Sequence, residues 1–169
     1  IEVTEVSIAQ LRAALESGQT TAVALVEAYL ARIEAYDGPH TATALNAVVV
    51  RNPQALEEAQ AADARRAEGK TLGPLDGIPY TAKDSYLVKG LTAASGSPAF
   101  KDLIAYRDAF TIERLRAAGA ICLGKTNLPP LATGGMQRGV YGRARRPWPT
   151  AVCSAVFMAA PKAPTTHII

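Results

Sequence analysis

Lys83 is the residue of this sequence whose type and position most directly suggest chemistry. It lies near the end of the run GPLDGIPYTAKD, residues 73–84, after side chains that alternate in polarity from Ile78 to Ala82. Such alternation predicts a short strand, and Pro79, which has no N–H to donate, belongs at a strand start or an unpaired edge. Most lysines are solvated at the surface. A buried lysine has a lowered pKa and can accept a proton, so we expect Lys83 to lie, mostly buried, at the carboxyl end of a central strand.

A second lysine belongs to a formally complete phosphate-binding pattern. The residues GAICLGKT, 119–126, match G-x-x-x-x-G-K-T. In a phosphate-binding loop of this kind, a strand precedes the first glycine and a helix follows the threonine. Here a predicted helix precedes Gly119, a strand fills the gap, and Pro129-Pro130 follow. The order of the elements therefore argues against nucleotide binding.

Helices and short apolar strands alternate along the chain. Ser7 and Gln10 match a capping box, which predicts a first helix that ends near Gly18. Further caps and apolar periodicity predict three more helices, which begin at Thr21, at Asn52-Pro53 and at Asp108 and end at Asp37, Gly69 and Gly119. Apolar runs predict buried strands at residues 44–50 and 120–123, and residues 84–96 lack periodicity and are predicted as loop. This alternation is typical of an α/β fold with a parallel or mixed sheet.

Three ordered blocks of the sequence resemble the amidase signature family. They are GPLDGIPYTAKD at 73–84, TAASGS at 92–97 and RDAFTIERLRAAGAICLGKTNLPPLATGG at 107–135. The family typically shows G-P-L-x-G-I-P-x-x-x-K-D, a T-x-G-S-like turn, and R-D-A-x-x-x-x-x-L-R-x-A-G-A-x-x-x-G-K-T-N. The resemblance covers about residues 7–148. It implies the N-terminal part of an α/β/α sandwich with a mixed sheet, incomplete in this chain.

The resemblance also implies an activity and a set of site residues. The family hydrolyses carboxylic amides through an acyl-enzyme, with a Ser–cis-Ser–Lys triad and without a cofactor or metal. Lys83 matches the catalytic lysine, which would take the proton of a bridging serine that activates the nucleophile. Asp84 follows it in the family pattern, and we expect it to have a positioning role. A loop that lines the acyl pocket in relatives is matched by Thr133, Gly134, Gly135 and Met136, and the expected substrate is a small-molecule amide.

The sequence departs from the family pattern after Trp148. Relatives continue into G-G-S-S-G-G-S, which supplies both serines and the oxyanion hole, whereas this sequence continues PTAVCSAVFMAAPKAPTTHII. Its single serine, Ser154, lacks the flanking glycines that a sharp exposed turn needs. We therefore expect residues 1–148 to be an N-terminal fragment of an amidase domain and residues 149–169 to be a poorly ordered tail unlike the family. We expect Cys153 and His167 to be inert and the chain alone to be inactive.

Three alternatives stay open. The missing residues could come from a second chain, or the chain could be a subunit or fragment of a tRNA-dependent amidotransferase. It could also be a non-enzymatic basic module, in which Tyr141 and Trp148 lie among Arg138, Arg143, Arg145 and Arg146. Aromatic residues among arginines are typical of single-strand binders. Four charges without a folded platform give only salt-sensitive, non-specific affinity, so nucleic acid is not the expected partner.

The composition of the sequence indicates the class of protein and its expected compartment. A hydrophobic content of 49% with 20% charged residues is typical of a globular chain, and the formal net charge of +3 conceals that all 15 acidic residues precede residue 114. Two cysteines make no disulfide framework, which favours a reducing cytoplasm, and no uncharged stretch is long enough to span a bilayer. Strands that are apolar on both faces, with only four predicted helices to cover them, predict exposed edges and self-association or aggregation.

Overall fold

The computed structural model describes residues 2–38, 40–133 and 139–145. In chain order the elements are α1 (Ile8–Glu16), α2 (Ala22–Asp37), β1 (Val48–Arg51), α3 (Ala55–Ala67), β2 (Pro79–Lys83), α4 (Phe110–Ala117) and β3 (Ile121–Thr126). Short 3₁₀ turns occur at Pro98–Phe100 and Pro130–Ala132. The predicted boundary at residue 148 and the predicted tail at 149–169 lie outside the described residues and stay predictions.

The three strands form one mixed sheet in the order β1-β3-β2. β3 is parallel to β2 and antiparallel to β1. Alternate side chains of β3 enter two different cores: Ile121 and Leu123 pack with α1, α2 and α3, and Cys122 packs with Ile112 of α4 and with residues of the 84–105 loop. The sheet therefore has helices on one face and α4 with a long loop on the other. This arrangement confirms the predicted α/β class and the mixed sheet.

The first two helices begin where the sequence predicts. The Ser7 hydroxyl accepts a hydrogen bond from the Gln10 N–H (3.3 Å), and the Gln10 side chain accepts one from the Ser7 N–H (2.9 Å). The Thr21 hydroxyl accepts from the Ala24 N–H (3.1 Å) at the start of α2. These short-range caps satisfy N–H groups that have no partner inside the helix.

The third and fourth helices begin differently from the prediction. Asn52 accepts a hydrogen bond from Gln54 N–H (3.1 Å), forming a turn that leads into α3 rather than a cap on it. The prediction that Asp108 caps α4 is wrong, because the cap position belongs to Ala109. The Asp108 carboxylate instead accepts hydrogen bonds from the Lys89 N–H (2.7 Å) and from Nε of Arg116 (2.8 Å).

Both apolar runs predicted as strands have different limits in the structure. The prediction of a buried strand over residues 44–50 is wrong at its start, because Ala44 and Asn46 have left-handed φ values of 43° and 51°. The N–H groups of the next residues, Ala47 and Val48, donate to the Asp37 carboxylate, and β1 itself is only partly buried. β3 is longer than predicted, since it continues through Gly124 to Thr126.

Among the described helices, none combines the length and the apolar character that a bilayer span requires.

Candidate active site

Lys83 lies at the carboxyl end of its strand, as predicted, but not in the predicted surroundings. It is the last residue of β2 and lies opposite Thr126 of β3. The predictions of a central strand and of a buried side chain are wrong for the described residues, because β2 is an edge of the sheet and Lys83 is exposed. In the described sheet, β3 pairs with β2 on one side, and no described strand lies on its other side. The catalytic role of Lys83 stays a prediction.

The buried lysine is Lys125, which in the sequence belongs to the rejected phosphate-binding pattern and to the third family block. It lies in β3 opposite Ala82 and is 0% exposed. Its Nζ atom is 3.0 Å from the carbonyl oxygen of Thr92 and 3.4 Å from both Oδ1 and the carbonyl oxygen of Asp84. Burial lowers the pKa of Lys125, and the nearby Asp84 carboxylate opposes that shift. Since Lys125 is held inside a strand, it is not part of a flexible phosphate-binding loop.

Asp84 joins three parts of the chain. Its side chain is fully buried, and Oδ2 accepts a hydrogen bond from the Gly96 N–H (2.8 Å) while Oδ1 faces Lys125. Its own N–H donates to the carbonyl oxygen of Thr126 (3.0 Å). Asp84 therefore ties the end of β2 to β3 and to the turn at residues 92–97, the second of the three sequence blocks.

The turn at residues 92–97 is tightly packed. Gly96 has a φ of +68°, and a Cβ atom there would overlap the carbonyl oxygen of Leu128. Ser95 is also left-handed, with a φ of 49°, and its carbonyl oxygen accepts from the Leu131 N–H (2.8 Å). Non-glycine residues rarely adopt such φ values, and strained positions cluster at functional sites. The turn thus connects Asp84 to the segment that leads to Thr133.

The predicted substrate-binding loop is described only at its first residue. Thr133 is exposed, and its hydroxyl donates to the carbonyl oxygen of Pro130 (3.0 Å). The other three predicted residues, Gly134, Gly135 and Met136, lie outside the described residues. So do Cys153, Ser154 and His167. The role of the loop in binding an acyl group stays a prediction.

Tyr141 lies beside this polar cluster. Its hydroxyl is buried and has no hydrogen-bond partner among the described residues. Burial, with a further contribution from the Asp84 carboxylate, raises the pKa of Tyr141 to about 12. A tyrosine held in this way is poorly placed for stacking on a nucleic-acid base. Of the arginines in the predicted basic module, Arg143 and Arg145 are exposed, and Arg138 and Arg146 lie outside the described residues, as does Trp148.

The described residues offer few other candidate sites. In these parts of the chain, no group of three or more His, Cys, Asp or Glu side chains is arranged to hold a metal ion. A cleft of about 290 Å³ lies near β1, lined in part by Glu34, Asp37, Asn46 and Arg51. Lys83 does not line this cleft, because it lies on the opposite edge strand of the sheet.

The charge environment of Lys83 differs from that of the lysines in ion pairs. Among the described residues, the lysines in ion pairs are Lys70, with Glu68, and Lys125, with Asp84. Lys83 has no acidic partner in this part of the chain. An exposed amine at the end of a strand is open to an approaching hydroxyl group, which is the geometry that a proton acceptor needs.

Comparison with known proteins decides the family. A model of the amidase family matches residues 24–154. The chain belongs to the amidase family. A structure described as a bacterial aryl acylamidase of the amidase signature enzymes has a TM-score of 0.66 and 28% identity and covers 75% of this chain and 26% of its own. The family predicted from the three sequence blocks is thereby confirmed.

Individual relatives of this amidase-family chain have several different names. A glutamyl-tRNA(Gln) amidotransferase subunit of Thermobifida fusca (strain YX) is 42% identical over 150 residues, which are 88% of this chain and 29% of that protein. The native peptide amidase of Stenotrophomonas maltophilia is 41% identical with a TM-score of 0.68, over 74% of this chain and 25% of its own. An inhibitor-bound protein from a vestigial complex related to an s-triazine catabolic enzyme is 36% identical with a TM-score of 0.75, over 84% of this chain and 31% of its own. The chain thus spans less than a third of the length of these relatives.

Proposed function

We propose that this chain supplies the N-terminal part of an amide-hydrolysing active site, in which Lys83 is the base of a Ser–cis-Ser–Lys triad. The observation that carries the proposal is the position of Lys83 at the exposed carboxyl end of β2, where the family motif ends and where no described acid pairs with it. Active sites of α/β proteins are typically built where strands end. The exposure of Lys83 leaves room for a serine from outside the described residues.

The proposed chemistry starts with a proton transfer to Lys83. In the assembled site, the residues that carry the two serines would cover Lys83 and exclude water from it, which favours the neutral amine. That amine takes the proton of a bridging serine, which takes the proton of the nucleophilic serine as that oxygen attacks the amide carbonyl. The leaving amine then receives a proton by the reverse route, and an acyl-enzyme remains for water to hydrolyse. Thr133 and residues 134–136 would line the acyl pocket. A reducing cytoplasm is the proposed setting, in which the buried Cys122 is a free thiol.

We propose that the 169 residues do not catalyse amide hydrolysis by themselves. The stretch after Trp148 contains one serine, Ser154, without flanking glycines. A triad without its nucleophile has no route to an acyl-enzyme, because the lysine only moves protons. The two serines and the oxyanion hole would have to come from other residues, in the same protein or in a partner chain.

A second candidate function is that of an amidotransferase subunit. It is favoured by the curated relatives, two of which are glutamyl-tRNA(Gln) amidotransferase subunits that are 42% identical to this chain. The peptide amidase structure is 41% identical, so sequence identity does not separate a subunit that releases ammonia for transfer from a free hydrolase. Both functions begin with the same attack on a carboxylic amide, and they differ in the substrate and in the fate of the ammonia.

The experiment measures hydrolysis of an aryl amide, a peptide amide and glutamine. The chain is tested alone and together with the part of the S. maltophilia peptide amidase that this chain does not match, which is produced as a separate polypeptide. We expect no turnover from the chain alone and restored turnover from the mixture. Lys83→Ala should lower the restored rate by about 10³-fold or more, because a triad acts as a unit. Lys89→Ala is the control, since Lys89 is an exposed lysine of the following loop.

Two results would contradict the proposal. One is hydrolysis by the chain alone together with stoichiometric labelling of Ser154 by a fluorophosphonate. The other is a Lys83→Ala variant that restores turnover as well as the unchanged chain does. Preference for glutamine over both other amides would favour the amidotransferase candidate.

A further inference from the structure

Asp84 and Lys125 form an ion pair inside the protein, one residue away from Lys83. Both side chains are 0% exposed, and Nζ of Lys125 lies 3.4 Å from Oδ1 of Asp84. A buried ion pair is weak evidence of a contribution to stability, because the loss of hydration of both charges offsets their attraction. Since stability does not account for the pair, its position beside Lys83 suggests that it acts on that residue.

The pair holds the Asp84 carboxylate on the inner side of the chain. Ala82 and Asp84 are buried while Lys83 between them is exposed, as expected for alternating side chains at the end of a strand. Both carboxylate oxygens have inner partners, since Oδ2 accepts from the Gly96 N–H (2.8 Å). The ammonium of Lys125 is itself fixed by the carbonyl oxygen of Thr92 at 3.0 Å.

We propose that Lys125 is a positioning residue that acts on Lys83 through Asp84. By pairing with the Asp84 carboxylate inside the protein, Lys125 prevents that carboxylate from capturing the neighbouring Lys83. The inference rests on the proposed role of Lys83 as a base. A lysine held in an ion pair keeps its proton more firmly, whereas an unpaired lysine can give up its proton and then accept one from a hydroxyl group.

The other groups around the pair cannot replace Lys125. Tyr141 lies near Asp84 and Cys122 lies near Lys125, and burial raises the pKa of each. Both are therefore neutral near pH 8 and supply no positive charge beside Asp84. Gly96 contributes one backbone N–H and Thr92 one carbonyl, neither of which carries a net charge. When Lys125 is replaced, the neighbouring Lys83 is the remaining lysine next to Asp84 in the chain.

The experiment measures the rate at which Lys83 is acetylated in the folded 169-residue chain. The reagent is the acetyl ester of N-hydroxysulfosuccinimide at pH 8, and mass spectrometry of peptides compares Lys83 with the exposed Lys89. In Lys125→Met, we expect acetylation of Lys83 to slow by about threefold or more relative to Lys89. A change of this size is what a partly exposed ion pair between Lys83 and Asp84 would produce. In the double variant Asp84→Asn with Lys125→Met, the ratio should return to that of the unchanged chain. The introduced side-chain amide still accepts from the Gly96 N–H and attracts no ammonium.

A folding check and a second variant allow the result to be interpreted even if Lys125→Met does not fold. Circular dichroism checks folding, and Lys125→Gln, which retains a donor without the charge, replaces Lys125→Met if that variant does not fold. An unchanged Lys83-to-Lys89 ratio in a folded single variant would overturn the inference. A slowing that persists in the double variant would also overturn it, because the slowing would then come from packing. The assay needs no turnover, so a failure of the proposed catalytic role would appear separately, as full activity of Lys83→Ala in the mixture.

Discussion

At the scale of single residues, the sequence predicted the position of Lys83 but not the burial of Lys125. The position of Lys83 at a strand end could be predicted, because the alternation before it is a local signal. The buried lysine is Lys125, whose partner Asp84 lies 41 residues earlier in the chain. Burial of a charge depends on such distant partners, which no local pattern contains. The prediction ended the strand at Leu123, because Gly124 and Lys125 are not apolar, and it therefore missed that β3 continues to Thr126.

Gly96 provides a test of the close packing between the 92–97 turn and the segment after β3. Gly90 is the comparison position, because its φ of +83° is left-handed like the +68° of Gly96, but a Cβ atom at Gly90 would lie in open space. Alanine at either position should cost about 1–2 kcal/mol for the left-handed backbone. Gly96→Ala should cost about 1–3 kcal/mol more, because its Cβ atom meets the carbonyl oxygen of Leu128. Urea unfolding of both variants measures the difference, and equal losses of stability would show that the turn can move away from Leu128.

At the scale of elements, the sequence predicted best where the signal is short in range. The capping box of Ser7 and the Thr21 cap depend on residues three apart, and both are present. The limits of β1 were missed because the Asp37 carboxylate takes the N–H groups of residues 47 and 48. The order of the strands, with β3 between β1 and β2, depends on tertiary packing and could not be predicted from local patterns.

We expect Asp108 to make the packing of α4 dependent on pH. Burial alone would raise the pKa of Asp108, but the Arg116 guanidinium and the Lys89 N–H more than offset burial and hold the pKa below its ordinary value. A carboxyl group with a lowered folded-state pKa stabilises the protein above its unfolded value of about 3.9. That stability is lost as the pH falls through the folded-state pKa.

The test compares Asp108→Asn with the unchanged chain by urea unfolding at several pH values. We expect a loss of stability at pH 7 that shrinks below about pH 4, where the unfolded chain binds the proton. Asp102→Asn is the matched control, since Asp102 is an exposed acid of the same loop. A loss of equal size at pH 7 and at low pH would mean that shape rather than charge holds Asp108 in place.

At the scale of the whole molecule, the two faces of the sheet are covered unequally. The core beneath α1, α2 and α3 is continuous, whereas the opposite face has α4 and the loop after β2. Large apolar side chains of that second side are exposed, among them Tyr106 (77%) and Phe110 (74%). The three sequence blocks were sufficient to predict the family and the fold class. They could not predict which apolar side chains lie at the surface, because this depends on how the loop lies over the sheet.

Self-association is the expected consequence of this surface. The large exposed apolar residues of the loop and of α4 are Tyr86, Phe100, Leu103, Ile104, Tyr106 and Phe110, and β2 adds an edge strand. Contiguous apolar patches and unpaired strand edges both favour association. The guanidinium groups of Arg107 and Arg114 lie 5.5 and 5.7 Å from the ring centres of Tyr106 and Phe110, and the two aromatic side chains nevertheless stay 77% and 74% exposed.

Sedimentation velocity over about a hundredfold range of concentration tests this expectation, since association makes both size and unfolding midpoint depend on concentration. The double variant Tyr106→Ser with Phe110→Ser should shift the population toward monomer. Leu72→Ser is the matched control, because Leu72 is exposed (53%) but lies outside the loop and α4. A monomer at every concentration, with a sharp and reversible unfolding transition at a constant midpoint, would show that this surface is stable in water without a partner. Equal effects of the double variant and the control would place the contact elsewhere on the molecule.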